Sequence, residues 1–200
     1  MLALLEKTHR LGRDFYNRDP IRVARECLGK VLVHGETVGR IVEVEAYLGV
    51  DDEAAHAWRG ITKRNQVLFG RPGCAYVYFI YGMYECLNFV AEPEGKAGCV
   101  LIRALEPLAG IELMQRRRPV ARRVEDLASG PGKLTQSMGI TRKLNGSDLV
   151  SGPLEVRAFA GEAPPDIAVT PRIGITRCAD WPLRFLIRGN RFVSGRPVHM

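Results

Sequence analysis

A chain of 200 residues with 46% hydrophobic content is long enough to bury one sizeable core, and no shift in composition divides it, so a single domain over residues 1–200 is expected. Lys and Arg number 29 against 22 Asp and Glu, and the net charge of +7 favours a polyanionic partner. The 5 cysteines are odd in number and far apart, which argues against a disulfide framework or a CxxC metal half-site; the apolar start Met1–Leu5 is too short for a signal segment and no run approaches membrane-spanning length, so a soluble cytoplasmic protein is expected.

Asp19-Pro20 supplies an N-cap and a first-turn proline, Val23, Ala24, Cys27 and Leu28 recur at helical spacing, and Gly29 sits where a C-cap belongs, so a short helix is predicted. Residues 30–34 and 39–46 are β-rich runs around Gly35-Glu36 and read as a hairpin whose second strand carries Glu43 and Glu45 on one face. Asp51, Asp52 and Glu53 look like capping acids of a helix that places His56 one turn beyond Asp52. Residues 58–73, with Arg59, Lys63, Arg64 and Arg71, read as a basic connecting loop. Three strands follow at 74–80, 85–90 and 98–105, the first two joined by a turn at Tyr81-Gly82-Met83-Tyr84.

Within these strands Tyr76 and Tyr78 share a face, as do Cys86, Asn88 and Val90. Asn88 and Arg103 need polar partners if they are buried. Residues 105–118, opening on Glu106-Pro107, are predicted as a helix ending in Arg116-Arg117-Arg118; that run, with Arg122-Arg123, reads equally as a solvated helix end or a DNA-facing patch. Ser129-Gly130-Pro131-Gly132-Lys133 has the pattern of a helix start whose free amides could hold phosphate. Turns are expected at Asn145-Gly146 and 161–165, and a last apolar strand at 183–187 precedes a polar, Arg-rich tail.

The chemistry concentrates in Glu43-Val44-Glu45-Ala46-Tyr47 and in the tyrosine-rich stretch 76–84. A carboxylate among aromatic rings in a basic chain suits hydrolysis on a flat, flipped-out base: attraction for phosphate, a stacking slot, and an acid to activate water. The plain alternative is a sheet core with a Tyr-rich strand and two solvated acids.

The ordered segments Glu-Ala-Tyr-Leu-Gly, Asp-Glu-Ala-Ala-His, Tyr-Val-Tyr-Phe-Ile-Tyr-Gly-Met-Tyr, Arg-Ala-Leu-Glu-Pro-Leu and Ser-Gly-Pro-Gly-Lys-Leu, spread between Asp19 and Gly189, resemble the alkyladenine (3-methyladenine, alkylpurine) DNA glycosylase family in its bacterial form. The resemblance implies an α+β fold, a curved antiparallel sheet flanked by helices and similar to the C-terminal domain of methionyl-tRNA formyltransferase. It implies a monofunctional enzyme of base excision repair that needs no metal or organic cofactor. Its partner would be double-stranded DNA containing damaged purines, bound by a monomer associated with the nucleoid. Carried over, Glu45 resembles the general base for water attacking the sugar, and Arg103 the residue that orients water and carboxylate and keeps Glu45 ionised. Tyr47, His56 and Tyr78 look like the walls of the base pocket, and Asn88 matches a position that crowds the exocyclic amine of guanine. Tyr81 resembles the wedge that fills the emptied stack, with Met83 and Tyr84 beside it at the DNA surface and Lys133 in the phosphate-binding helix start. The chain lacks the long N-terminal extension of mammalian members, which implies a compact catalytic core.

Three rivals differ in kind. A non-catalytic nucleic-acid binding module would use the same basic surface and tyrosines and leave Glu45 structural. A zinc deaminase is suggested by His34-Gly35-Glu36 but lacks the Pro-Cys-x-x-Cys that would complete its ligands. A lyase needs a desolvated lysine, which nothing around Lys63, Lys96 or Lys133 marks.

Overall fold

The computed structural model describes residues 1–195, and they begin with a short helix α1 (Leu2–Leu5), strand β1 (Thr8–Arg10) and a single helical turn α2 (Arg13–Tyr16). Helix α3 (Pro20–Cys27) starts as its sequence predicts: the Asp19 carboxylate accepts from the amides of Ile21 and Arg22 at 2.9 and 3.1 Å. Gly29 then turns the chain with φ +84°. Strands β2 (Val31–His34) and β3 (Thr37–Tyr47) form the expected hairpin. Strands β4 (Ala75–Ile80), β5 (Tyr84–Val90) and β6 (Cys99–Ala109) follow as a meander. After α4 (Ile111–Arg117) and α5 (Pro131–Met138) come β7 (Leu154–Phe159), β8 (Ile167–Thr170) and β9 (Arg184–Ile187).

Among the described residues nine strands pair antiparallel in the order β1-β7-β2-β3-β6-β5-β4, with β8 and β9 as a branch. The branch arises on β3. Residues 37–40 pair with β2, whereas Glu43, Val44 and Glu45 pair with β9, so β3 exchanges one neighbour for another along its length. At the exchange the β3–β6 register slips twice, skipping Val42 on β3 and Arg103 on β6. Val42 and Ala104 therefore pack together with Leu186 and Phe192, apart from the main core, while Ile41, Val44, Ile102 and Leu105 stay in it.

The main core fills the side of the sheet covered by α3, α4 and α5, joining Val23 and Cys27, Met114, and Leu134 and Met138 to Val44, Ala46, Val77, Phe89, Val100 and Ile102. The opposite side carries Glu43, Glu45 and Tyr47 from β3, Cys99, Leu101 and Arg103 from β6, Cys86 and Asn88 from β5, and Tyr76 and Tyr78 from β4. Register brings them into a row, with Tyr47 opposite Cys99, Glu45 opposite Leu101, Leu101 opposite Asn88, and Asn88 opposite Tyr76.

Three expectations fail. The helix predicted over 105–118 is confined to 111–117, because β6 continues through Glu106-Pro107 to pair Ala109 with Val38. Pro107 is tolerated beside an irregularity in that ladder at Val38/Gly39. The helix predicted from Asp51 is a 3-10 turn at Gly49–Asp51 followed by turns. Gly49 adopts φ +67°, and a Cβ there would run into the Lys96 carbonyl, so the chain leaves β3 by a route closed to other residues. The polar tail is partly core: Phe192, Val193 and Ser194 are buried. Strands β1, β7 and β8 were not foreseen.

Glu43 locks the branch together. Fully buried, it accepts from Arg103 Nε at 2.8 Å, Arg184 Nε at 2.8 Å, the Ser194 hydroxyl at 2.7 Å and the Ser194 amide. Removing it leaves two buried guanidinium groups without their shared counter-charge. Glu43→Ala should lower unfolding free energy by about 3–5 kcal/mol, read as a fall in the urea midpoint at unchanged slope; a loss under about 1 kcal/mol would refute the role.

Candidate active site

Glu45 lies on β3 one pleat beyond Glu43, and its side chain is fully buried. Oε1 stands 3.1 Å from Arg103 Nη1 and accepts from the Ile173 amide at 2.8 Å; Oε2 accepts from the Tyr47 hydroxyl at 3.0 Å. Both glutamates thus share Arg103, the geometry expected for acids on one face of a strand. Burial pushes the Glu45 carboxyl above its ordinary pKa, outweighing Arg103, the Ile173 amide and the Tyr47 hydroxyl, which pull it down. Arg103 is the foremost of the groups that favour the ionised form, and burial outweighs it. The net result is a base of raised proton affinity.

In front of this carboxylate is a cavity of about 390 Å³ lined by Tyr47, His56, Tyr76, Tyr78, Asn88 and Arg103, among others. Glu45 is one layer behind its wall: Tyr47, Arg103 and Ile173, its three partners, line the space. The His56 ring lies 4.4 Å from that of Tyr78, and its Nδ1 is 3.0 Å from the Tyr76 hydroxyl. Burial, and secondarily the charge of Arg64, lowers the His56 pKa, so the ring is neutral at pH 7. Burial also raises the phenols of Tyr47 and Tyr78, and pushes Tyr76 up to about 12. The aromatic walls are consequently uncharged. The Asn88 side-chain amide donates a hydrogen bond to the Tyr76 carbonyl at 3.2 Å, which meets the need for a partner.

The mouth is built by the hairpin turn. Tyr81 and Gly82 have φ of +53° and +70°, and the Met83 amide donates to the Ile80 carbonyl at 3.3 Å, the backbone pattern of a type I′ turn. Tyr81 occupies a left-handed conformation that costs a non-glycine residue about 1–2 kcal/mol, and it is 76% exposed. Met83 is 66% exposed, and Tyr84 packs over Gly132 at the start of α5. Lys133 on the same helix start is within 3.5 Å of the Ser129 hydroxyl. Glu85 turns to Arg142 at 3.1 Å. Two arginines of the run are engaged within the fold, Arg117 donating to the Ser137 carbonyl and Arg118 to the Gln136 side chain, which ties α4 to α5, while Arg116 is exposed. Trp58 stacks with Arg59 on the basic loop.

Sequence reasoning overlooked Asp52, Arg172, Ile173 and Arg184 as site-building residues. Local pattern gives Asp52 only the role of a helix cap and does not mark an arginine 120 positions later as its partner. A Tyr47→Phe variant should raise the Glu45 pKa further, since it removes a bond that favours the ionised form. Carboxyl-carbon NMR of selectively labelled glutamate, titrated from pH 3 to 8, would measure this; a Glu45 midpoint at or below the ordinary carboxylate value would contradict the burial argument.

Residues 14–191 match the family model described as "Methylpurine-DNA glycosylase (MPG)". A protein of Methanoculleus marisnigri is 55% identical over 192 residues, covering 93% of this chain and 99% of its own length. One from Koribacter versatilis is 51% identical, with 93% of each chain covered, and one from Chlorobaculum tepidum is 49% identical, covering 92% of this chain and 90% of its own. All three bear the name "Putative 3-methyladenine DNA glycosylase". With an aromatic cavity backed by a buried carboxylate and a match spanning nearly its whole length, the chain belongs to the methylpurine-DNA glycosylase family, hydrolases of N-glycosyl bonds.

Proposed function

We propose that this protein flips alkylated purines such as 3-methyladenine and 7-methylguanine out of duplex DNA and hydrolyses their N-glycosidic bond with water activated by Glu45. The observation that carries the reading is Glu45 itself, a buried carboxylate of raised pKa directly behind a cavity with neutral aromatic walls. Alkylation at a ring nitrogen makes the purine cationic and a good leaving group. Tyr47 and Tyr78 offer ring faces to such a cation, and neutral His56 adds a hydrogen-bonding group without repulsive charge. Arg103 orients the carboxylate, and Asn88, lining the cavity and bonded to the Tyr76 carbonyl, crowds the exocyclic amine of guanine.

Water must reach Glu45 between Tyr47, Arg103 and Ile173, so the hydrolytic step exchanges one of the existing bonds to the carboxylate for a bond to water. The oxocarbenium-like transition state then gains an anion alongside the nucleophile. Tyr81, strained and projecting at the mouth, takes the place of the extruded nucleotide in the stack, with Met83 and Tyr84 against the duplex and Lys133 near phosphate. In this reading the protein acts as a monomer on one domain, its sheet of the formyltransferase C-terminal type, and the net charge of +7 draws it to DNA.

Glu45→Gln should keep binding to lesion-containing duplex but lose base release by about two orders of magnitude or more. Single-turnover assays with alkali cleavage of the abasic product measure it, and a near-normal rate would return Glu45 to a structural role in a binding module. Tyr81→Ala should weaken flipping, seen as a smaller rise in fluorescence of 2-aminopurine placed beside the lesion; an unchanged rise would exclude the wedge.

A further inference from the structure

Behind Tyr47 is a second buried ion pair. The side chains of Asp52 and Arg172 are both fully buried; Arg172 Nη2 donates to Asp52 Oδ1 at 2.9 Å and Nη1 donates to Oδ2, making a bidentate contact. Nη1 also donates to the Ala46 carbonyl at 3.1 Å, on the strand between Glu45 and Tyr47. The Arg172 guanidinium lies 4.6 Å from the centroid of the Tyr47 ring, which itself lines the cavity. The next residue, Ile173, gives its amide to Glu45. Asp52 in turn accepts from the amides of Leu48 and Ala54, holding the segment that leads to His56.

The charge arrangement has a consequence for what the ring can attract. A tyrosine face already occupied by a cation is a poorer partner for a second cation, since both draw on the same ring electrons. Arg64 also lies over a pocket ring, 5.5 Å from that of Tyr78, but it is solvent-exposed and water screens its charge. Arg172 has no such screening. Asp52 is the carboxylate at hydrogen-bond distance that neutralises it, and Glu45 acts on it from farther away.

We propose that the Asp52–Arg172 pair is a positioning and specificity element: it clamps Tyr47 and the Ile173 amide onto Glu45, and Asp52 cancels the charge behind Tyr47 so that the ring favours a cationic base over a neutral one of the same shape. The inference rests on the base-flipping reading above. Neither residue touches the base, so both act through Tyr47 and the Ile173 amide.

The test compares binding of the full chain to duplexes carrying 7-methylguanine, its neutral 7-deaza-7-methyl counterpart, or undamaged guanine, each on a 2′-fluoro sugar that keeps the base attached. The unaltered protein should bind the cationic lesion more tightly than its neutral counterpart. Asp52→Asn should reduce that preference about tenfold, and Asp52→Asn with Arg172→Gln, which removes both charges, should restore it even if overall affinity falls. Near-UV circular dichroism shows whether each variant is folded. An unfolded single variant leaves the decision to the double one, where a lost preference overturns the charge argument. A preference unchanged in folded Asp52→Asn, or absent from the unaltered protein, overturns it as well. If the unaltered protein prefers neither lesion to guanine, the base-flipping reading fails and takes this inference with it.

Discussion

Burying carboxylates on the middle strand of the sheet is the constraint on which the rest of this structure depends. Glu43 and Glu45 on β3, with Asp52 just beyond, are matched by Arg103, Arg172 and Arg184, so three buried acids meet three buried bases. An unpaired charge at such depth would cost several kcal/mol, so each partner must arrive in register. The pairing therefore dictates where β9 docks on β3, why β3 and β6 both bulge, and where the loop at 170–173 crosses the sheet.

That constraint also sets the chemistry. Stability alone is served by Glu43, which has four hydrogen bonds and two arginines around it. Glu45 is less fully compensated: it shares Arg103 with Glu43, and burial carries its pKa upward. Two carboxylates on one strand thus take different roles, one structural and one suited to accepting a proton. The neutral aromatic cavity in front of them suits the proposed function, in which a cationic base would be repelled by an imidazolium but not by the uncharged ring of His56.

Much of this arrangement is legible in sequence wherever a short-range rule acts. The two-residue period of strands put Glu43 with Glu45, Tyr76 with Tyr78 and Cys86 with Asn88, and each group shares a face in the fold. The turn at 81–84 and the cap at Asp19 follow from residue types within a few positions. Where the local rules misled, a distant partner prevailed. Glu106-Pro107 has the composition of a helix start, yet β3 keeps the segment in strand. Asp52 resembles a helix cap, yet its carboxylate is taken by Arg172.

The sequence by itself determined the family, the strands that carry the site and the face of each on which its side chains lie, because backbone geometry makes side-chain direction a function of near neighbours. Only the tertiary structure decided that Arg172 belongs to Asp52, that Arg184 and Ser194 belong to Glu43, and that the Ile173 amide belongs to Glu45. These pairs join residues more than a hundred positions apart, and nothing in the local pattern singles out one arginine among many. Charge pairing is settled by distance in space, and for a buried group that distance exists only once the sheet has closed around it.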